Sequence, residues 1–223
     1  MDTHNPNSSV AGFSLFELLI ALTITLVLGG LACTLLASSF NVRAREDQKT
    51  YGLADAQRAL NLMTREIANS GFGLTNNGIV TSDSGVSVLR VRANLNAFEA
   101  QSSSRTVSDK DEDLRYRLVS ASGNSYIERL DVNTGARTTV LANRVDQFRI
   151  RYFADKISYT SGDCDIVTNA AEVTDKINAK YLVLIVCVDL PARGTPGTAG
   201  YQPQSKVQLI SDVALRNANL ANY

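Results

Sequence analysis

Few side chains in this sequence could do chemistry, and their types narrow the choice quickly. The one histidine, His4, stands near the start of the 223 residues, so the rest of the chain has no imidazole for general-base or metal work. Two acidic clusters invite a cation reading. Asp109, Asp111 and Asp113 alternate like the start of a calcium loop, but Leu114 replaces the turn glycine and Ser120 the closing glutamate, so a solvated acidic turn is expected. Asp163, Asp165, Glu172 and Asp175 could hold calcium in a folded loop, and are read instead as a hydrated surface. No GxGxxG, Walker A or HExxH pattern is present. No enzyme, metal or cofactor is expected from these residues. The acid that stands apart is Glu17, the only charge between Phe13 and Phe40. Ionised in an apolar helix, such a group costs a few kcal/mol near a membrane centre, less at its edge, and is normally retained with a partner.

The element that must position Glu17 is a long apolar rod. Leu18 to Ala37 is 20 residues without a charge, roughly 30 Å as a helix, the hydrocarbon thickness of a bilayer. Two competing readings are a buried core helix, which rarely stays apolar on every face for five turns, and a cleaved secretory signal, whose apolar core is shorter and follows a basic start. Residues 1–12 hold no Lys or Arg. Ala32-Cys33 faintly suggests a lipid-attachment site, with Gly30-Leu31 out of place for one. Beyond Phe40 the pattern becomes amphipathic: Leu53, Ala56, Leu60, Met63 and Ile67 recur at helical spacing, with Asp55, Arg58 and Arg65 on other faces. Ser70-Gly71 and Gly73 then end the element, so one helix is expected from about Ser14 to Asn69, with Gly29-Gly30 and Gly52 as weak points.

From Gly78 the period becomes two. Strands are expected at 86–91, 114–120, 126–131, 138–141, 145–153, 181–190 and 207–212. Hairpin loops at Ala121-Ser122-Gly123-Asn124 and Asn133-Thr134-Gly135 favour an antiparallel meander. In Phe148-Arg149-Ile150-Arg151-Tyr152 one face should be buried and one wet, whereas 182–188 is apolar on both faces and should lie centrally, with the helix on one side. Residues 93–113 and 155–179 lack a period and read as long surface loops. The expected class is α+β, a long N-terminal helix packed on a mainly antiparallel sheet domain. With 22 basic and 22 acidic residues the chain has no net charge, and no nucleic-acid partner is expected.

Gly12-Phe13-Ser14-Leu15-Phe16-Glu17-Leu18-Leu19-Ile20-Ala21-Leu22 resembles the processing and methylation site of type IV prepilins and type II secretion pseudopilins. In that family a polar leader ends in glycine, the next residue is usually phenylalanine, and a glutamate follows four residues later. More distantly, Gln57-Arg58-Ala59-Leu60, Thr64 to Phe72 and Asp212 to Asn217 resemble PilW-type minor pilins and J-type pseudopilins. The resemblance implies a pilin-like fold: residues 1–12 as leader, 13–40 as membrane-spanning and filament-core helix, 41–72 as its amphipathic half and 73–223 as a soluble β-rich domain. It implies cleavage between Gly12 and Phe13 by a prepilin peptidase and N-methylation of Phe13. The new amine would pair with Glu17 of the same or a neighbouring subunit. Implied partners are other minor pilins, the major pilin and the inner-membrane assembly machinery. The implied location is the bacterial inner membrane, with the C-terminal domain periplasmic, and then the pilus. A type II secretion pseudopilin fits the same motif, and an anchored periplasmic binding domain that never polymerises is the reading of another class. The first basic residues, Arg43, Arg45 and Lys49, follow the apolar run, so the positive-inside rule alone would invert this topology, although large domains translocate largely regardless of charge. The proline many members carry in the spanning segment is lacking here. With that topology Cys164 and Cys187 lie where disulfides persist, and either a bridge or a free buried Cys187 is open, while Cys33 is a small apolar residue.

Overall fold

The computed structural model describes residues 12–97, 107–121, 123–141 and 144–218. Its backbone regularity begins at Ser14, whose hydroxyl accepts the Phe16 N–H while Glu17 accepts the Ser14 N–H at 3.2 Å, a capping box that satisfies donors a helix start leaves free. From there α1 (Leu15–Ala68) runs unbroken for 54 residues, through Gly29-Gly30 and Gly52. That length is about 80 Å. Asn69 caps the end, and Gly71 follows at φ 81°, where an added Cβ would lie 2.6 Å from the Asn76 carbonyl oxygen. Only glycine fits there.

The rod has two halves of opposite character. Between Phe13 and Phe40 every residue is exposed except Ser38, which is half-buried. Farther along, Ala56, Leu60, Met63 and Ile67 of the expected stripe are 0–1 % exposed and are joined by Ala59, while Leu53 is only half-buried; Asp55, Arg58 and Arg65 lie outside it. Thr23, Thr25 and Thr34 return their hydroxyl protons to carbonyls three or four residues earlier, so these three hydroxyls are satisfied within the helix.

Antiparallel sheets cover the second half. One sheet has the order β1 (Val88–Arg92), β2 (Asp113–Ala121), β3 (Asn124–Asp131), β4 (Arg137–Leu141). The other places β8 (Tyr181–Leu190) between β5 (Val145–Phe153) and β9 (Ser205–Ala214). The seven expected strands are present with ends shifted by one or two residues, and 181–190 is the central strand, with α1 on one face. The meander holds for the first sheet alone, because β5 pairs with β8 across a long excursion. Leu182, Leu184, Val186 and Val213 meet the helix stripe in one core that also takes Leu89, Tyr116, Ile127 and Leu141 from the first sheet. Each such side chain contributes about 1.5–3 kcal/mol on burial.

Two loop expectations need correction. Residues 155–179 are more than a surface loop: they carry β6 (Thr160–Ser161) and β7 (Ile166–Val167) and lie over the far face of the second sheet. There Ile166 joins Phe153, Tyr181, Val183 and Ile185 in a second small core. Two-residue strands and single apolar anchors leave no periodicity to read. For the same reason the Arg149 and Arg151 face of β5 is not simply wet, because both arginines pair with Asp165 of that cover. Of 93–113, residues 98–106 lie outside the described residues, as do residues 1–11 with His4.

Candidate functional site

Gly12, Phe13 and Glu17 stand together at the free end of the rod. Gly12 precedes the helix in irregular backbone with no atom of the described residues within 4 Å of an added Cβ, Phe13 is 80 % exposed, and Ser14 is still extended at ψ 138°. The Gly12–Phe13 peptide bond is therefore outside the helical hydrogen-bond ladder. Cutting it would free an amine one residue before the Ser14 N–H that Glu17 already accepts. A cation there would meet a carboxylate already turned toward the helix start.

Cys164 and Cys187 come within bonding distance, with Cα atoms 5.7 Å apart. Cys187 faces outward from β8 toward the cover and Cys164 sits in it, both 3 % exposed or less. Their contact ties the 155–179 cover to the central strand. Cys33 is exposed on the apolar half of α1.

Each acidic cluster has two members paired with arginines. Asp113 is buried and takes Arg90 at 2.7 and 2.8 Å and Arg92 at 2.8 Å, while Asp111 meets Arg129 at 2.6 Å and Asp109 takes the Asn96 amide. Asp113 is therefore buried and paired where a solvated turn was expected, while Asp109 stays exposed and Asp111 half-exposed. Asp165 is held by Arg149 and Arg151, Glu172 by Arg151, and Asp175 caps the short turn Lys176–Asn178; Asp165 is thus a half-buried structural acid, while Asp163, Glu172 and Asp175 are exposed, as the hydrated-surface reading expected. Burial opposes ionisation of Asp113, but Arg90 and Arg92 outweigh it and hold the carboxyl below the usual range. Asp165 is lowered in the same way, against burial, by Arg151, the Ile166 N–H and Arg149. Among the described residues no group of three or more His, Cys, Asp or Glu is arranged to hold a metal ion.

Sequence reasoning missed Arg45. Buried at 7 % exposure just past the apolar half, it donates to the Pro191 carbonyl, to the Pro203 carbonyl at 2.8 Å and to Ser205 Oγ at 2.6 Å. The connection between β8 and β9 is thereby clamped to α1. The one available signal was a cation following an uncharged run, and it reads equally well as a solvated flank. The paired arginines left a better trace, since Arg90 and Arg92, or Arg149 and Arg151, share a strand face by alternation.

No family model matches the chain. No curated protein matches it either. Among solved structures it is similar to a type IV-like pilin from Thermus thermophilus, at 16% identity over 74% of this chain and 97% of that one, with a TM-score of 0.46.

Proposed function

We propose that the chain is a minor pilin-like subunit that acts by assembly rather than catalysis. In this reading a prepilin peptidase cuts between Gly12 and Phe13, the Phe13 amine is methylated, and the protein waits in the bacterial inner membrane as a single-pass chain with its domain in the periplasm. The inner-membrane machinery then draws it into a type IV pilus, where it joins other minor pilins in a low-copy tip or initiation complex above the major pilin. The observation that carries the reading is the division of α1: an exposed apolar half headed by Gly12, Phe13 and Glu17, continuous with a half that forms the domain core. The roughly 30 Å from Leu18 to Ala37 within this half suits a bilayer first and a helical stack afterwards. Loss of lipid contacts is then offset by helix contacts, and a satisfied pair between the Phe13 amine and Glu17 sets the axial register. A Cys164–Cys187 disulfide belongs to the same reading, since the periplasm preserves such bonds.

Mass spectrometry of the protein extracted from membranes tests the proposal. The expected N-terminal peptide begins at methylated Phe13. An intact Met1, or a lipid on Cys33, would overturn it.

A further inference from the structure

We propose that the β8–β9 connection, residues 191–204, is a collar that rests on the phospholipid headgroups while the subunit waits in the membrane. This rests on the reading of the apolar half as membrane-spanning. The place of contact carries the inference. Gly200 approaches α1 so closely that an added Cβ would lie 2.5 Å from Ser38 Cα, and Gly194 sits beside Asn41, where an added Cβ would be 3.2 Å from the side-chain amide. Ser38 is also the one residue from Phe13 to Phe40 that is not exposed. The continuous apolar run ends at Ala37, one residue earlier, where Ser38-Ser39 begin a more polar turn, and the first charge after it is Arg43. A headgroup layer about 5–8 Å deep corresponds to roughly four or five helical residues, so the turn from Ser38 to Val42 lies within it. Whatever touches that turn lies in the layer too.

Fixed attachment makes the connection a collar and not a passing loop. Arg45 grips both of its ends, at Pro191 and at Pro203 with Ser205. Arg193 and Gln202 exchange backbone hydrogen bonds at 2.8 Å across its neck, and the tip closes on itself through the Thr198 and Tyr201 N–H groups. Its chemistry suits an anionic, partly wet surface. Residues 191–204 contain one charge, Arg193, and no acid, and the tip Thr195-Pro196-Gly197-Thr198-Ala199 is exposed, small and neutral. Nothing there repels a phosphate, and nothing there is apolar enough to insert deeply. The collar would hold the domain at one height and orientation, so that subunits meet the assembly machinery in register.

The test uses the full chain carrying Cys33→Ala, kept oxidised and reconstituted in vesicles of phosphatidylcholine and phosphatidylglycerol. A fluorophore is placed at Ala199→Cys, at Lys110→Cys beside the far end of α1, or at Leu28→Cys within the apolar half. Lipids bearing a nitroxide on the headgroup should quench most of the label at 199 and leave the label at 110 bright. Lipids with a nitroxide in mid-chain should quench the label at 28. Gly200→Val and Arg45→Met, each checked for unchanged domain unfolding, should release the collar and bring the signal at 199 toward that at 110. A label at 199 as bright as that at 110, with 28 quenched in mid-chain, overturns the collar while leaving the spanning reading intact. An unquenched label at 28 overturns the spanning reading and the collar with it. Quenching at 199 that appears only when a second copy is present, and not from headgroup nitroxide, assigns the surface to a neighbouring subunit instead and also overturns it.

Discussion

The two halves of α1 are one continuous helix built from residues that want different surroundings. From Phe13 to Phe40 large apolar side chains point outward on every side, whereas beyond Gly52 the apolar positions collapse to one stripe buried under two sheets. Because the backbone is the same, the contrast isolates what side-chain pattern decides. An all-round apolar surface calls for lipid or other helices, and a stripe calls for a domain of its own. The domain should therefore fold without help from the first half, and the first half should be free to exchange one apolar environment for another.

The largest expected effect lies in the stripe. Leu60→Ala should destabilise the domain by about 2–5 kcal/mol, since the surrounding core cannot fully close over the lost volume. Denaturant unfolding of the full chain in detergent micelles would measure it. Leu28→Ala, exposed on the apolar half, should leave the same transition unmoved, and an equal loss from both would dissolve the contrast between halves.

Next comes the cover over the far face of β8. Cysteine mapping without reductant should find Cys164 linked to Cys187, and reduction should cost about 3 kcal/mol in the chain-entropy account of a loop of this size. Recovery of both cysteines as free thiols would sink the bridge. Reduction should not alter membrane extraction, which depends on the other half.

A smaller effect separates the domain by pH. Asp113 and Asp165 are held below their ordinary pKa when folded, so the stability they confer is present above about pH 4, their unfolded range, and is lost as pH falls through the folded values. Unfolding midpoints measured from pH 7 to pH 3 should fall on the acid side. Asp113→Asn should be less stable at pH 7 and show a shallower acid limb. An acid limb as steep as the wild type would show that other carboxylates govern it.

The sequence was most legible where forces are local. Helix bounds followed from the apolar run and from the breakers Ser70-Gly71 and Gly73, within one residue of the observed ends, and the strands from alternation, whereas the capping box of Ser14 and Glu17 was seen only in the structure. What escaped it was contact between distant segments. Asp113 reads as a turn acid until β1 sets Arg90 and Arg92 beside it, and Asp165 until the cover folds onto β5. Arg45 reaches residues some 150 positions away, where no spacing rule operates. At the start of the rod Gly12, Phe13 and Glu17 stood out through their resemblance to a processing motif spanning six residues, and Glu17 also as the lone charge of the apolar run.

The account turns on Glu17 serving assembly and not folding, and one measurement addresses both. Glu17→Ala should cost the helix start no more than about 0.5–2 kcal/mol as half of its capping box, leaving the domain transition and the amount in membranes unchanged. Sheared filaments should contain little of the variant, whereas wild-type chain is recovered in them and labelled by antibody at their ends. Wild-type recovery of Glu17→Ala in filaments would contradict the charge-pair account.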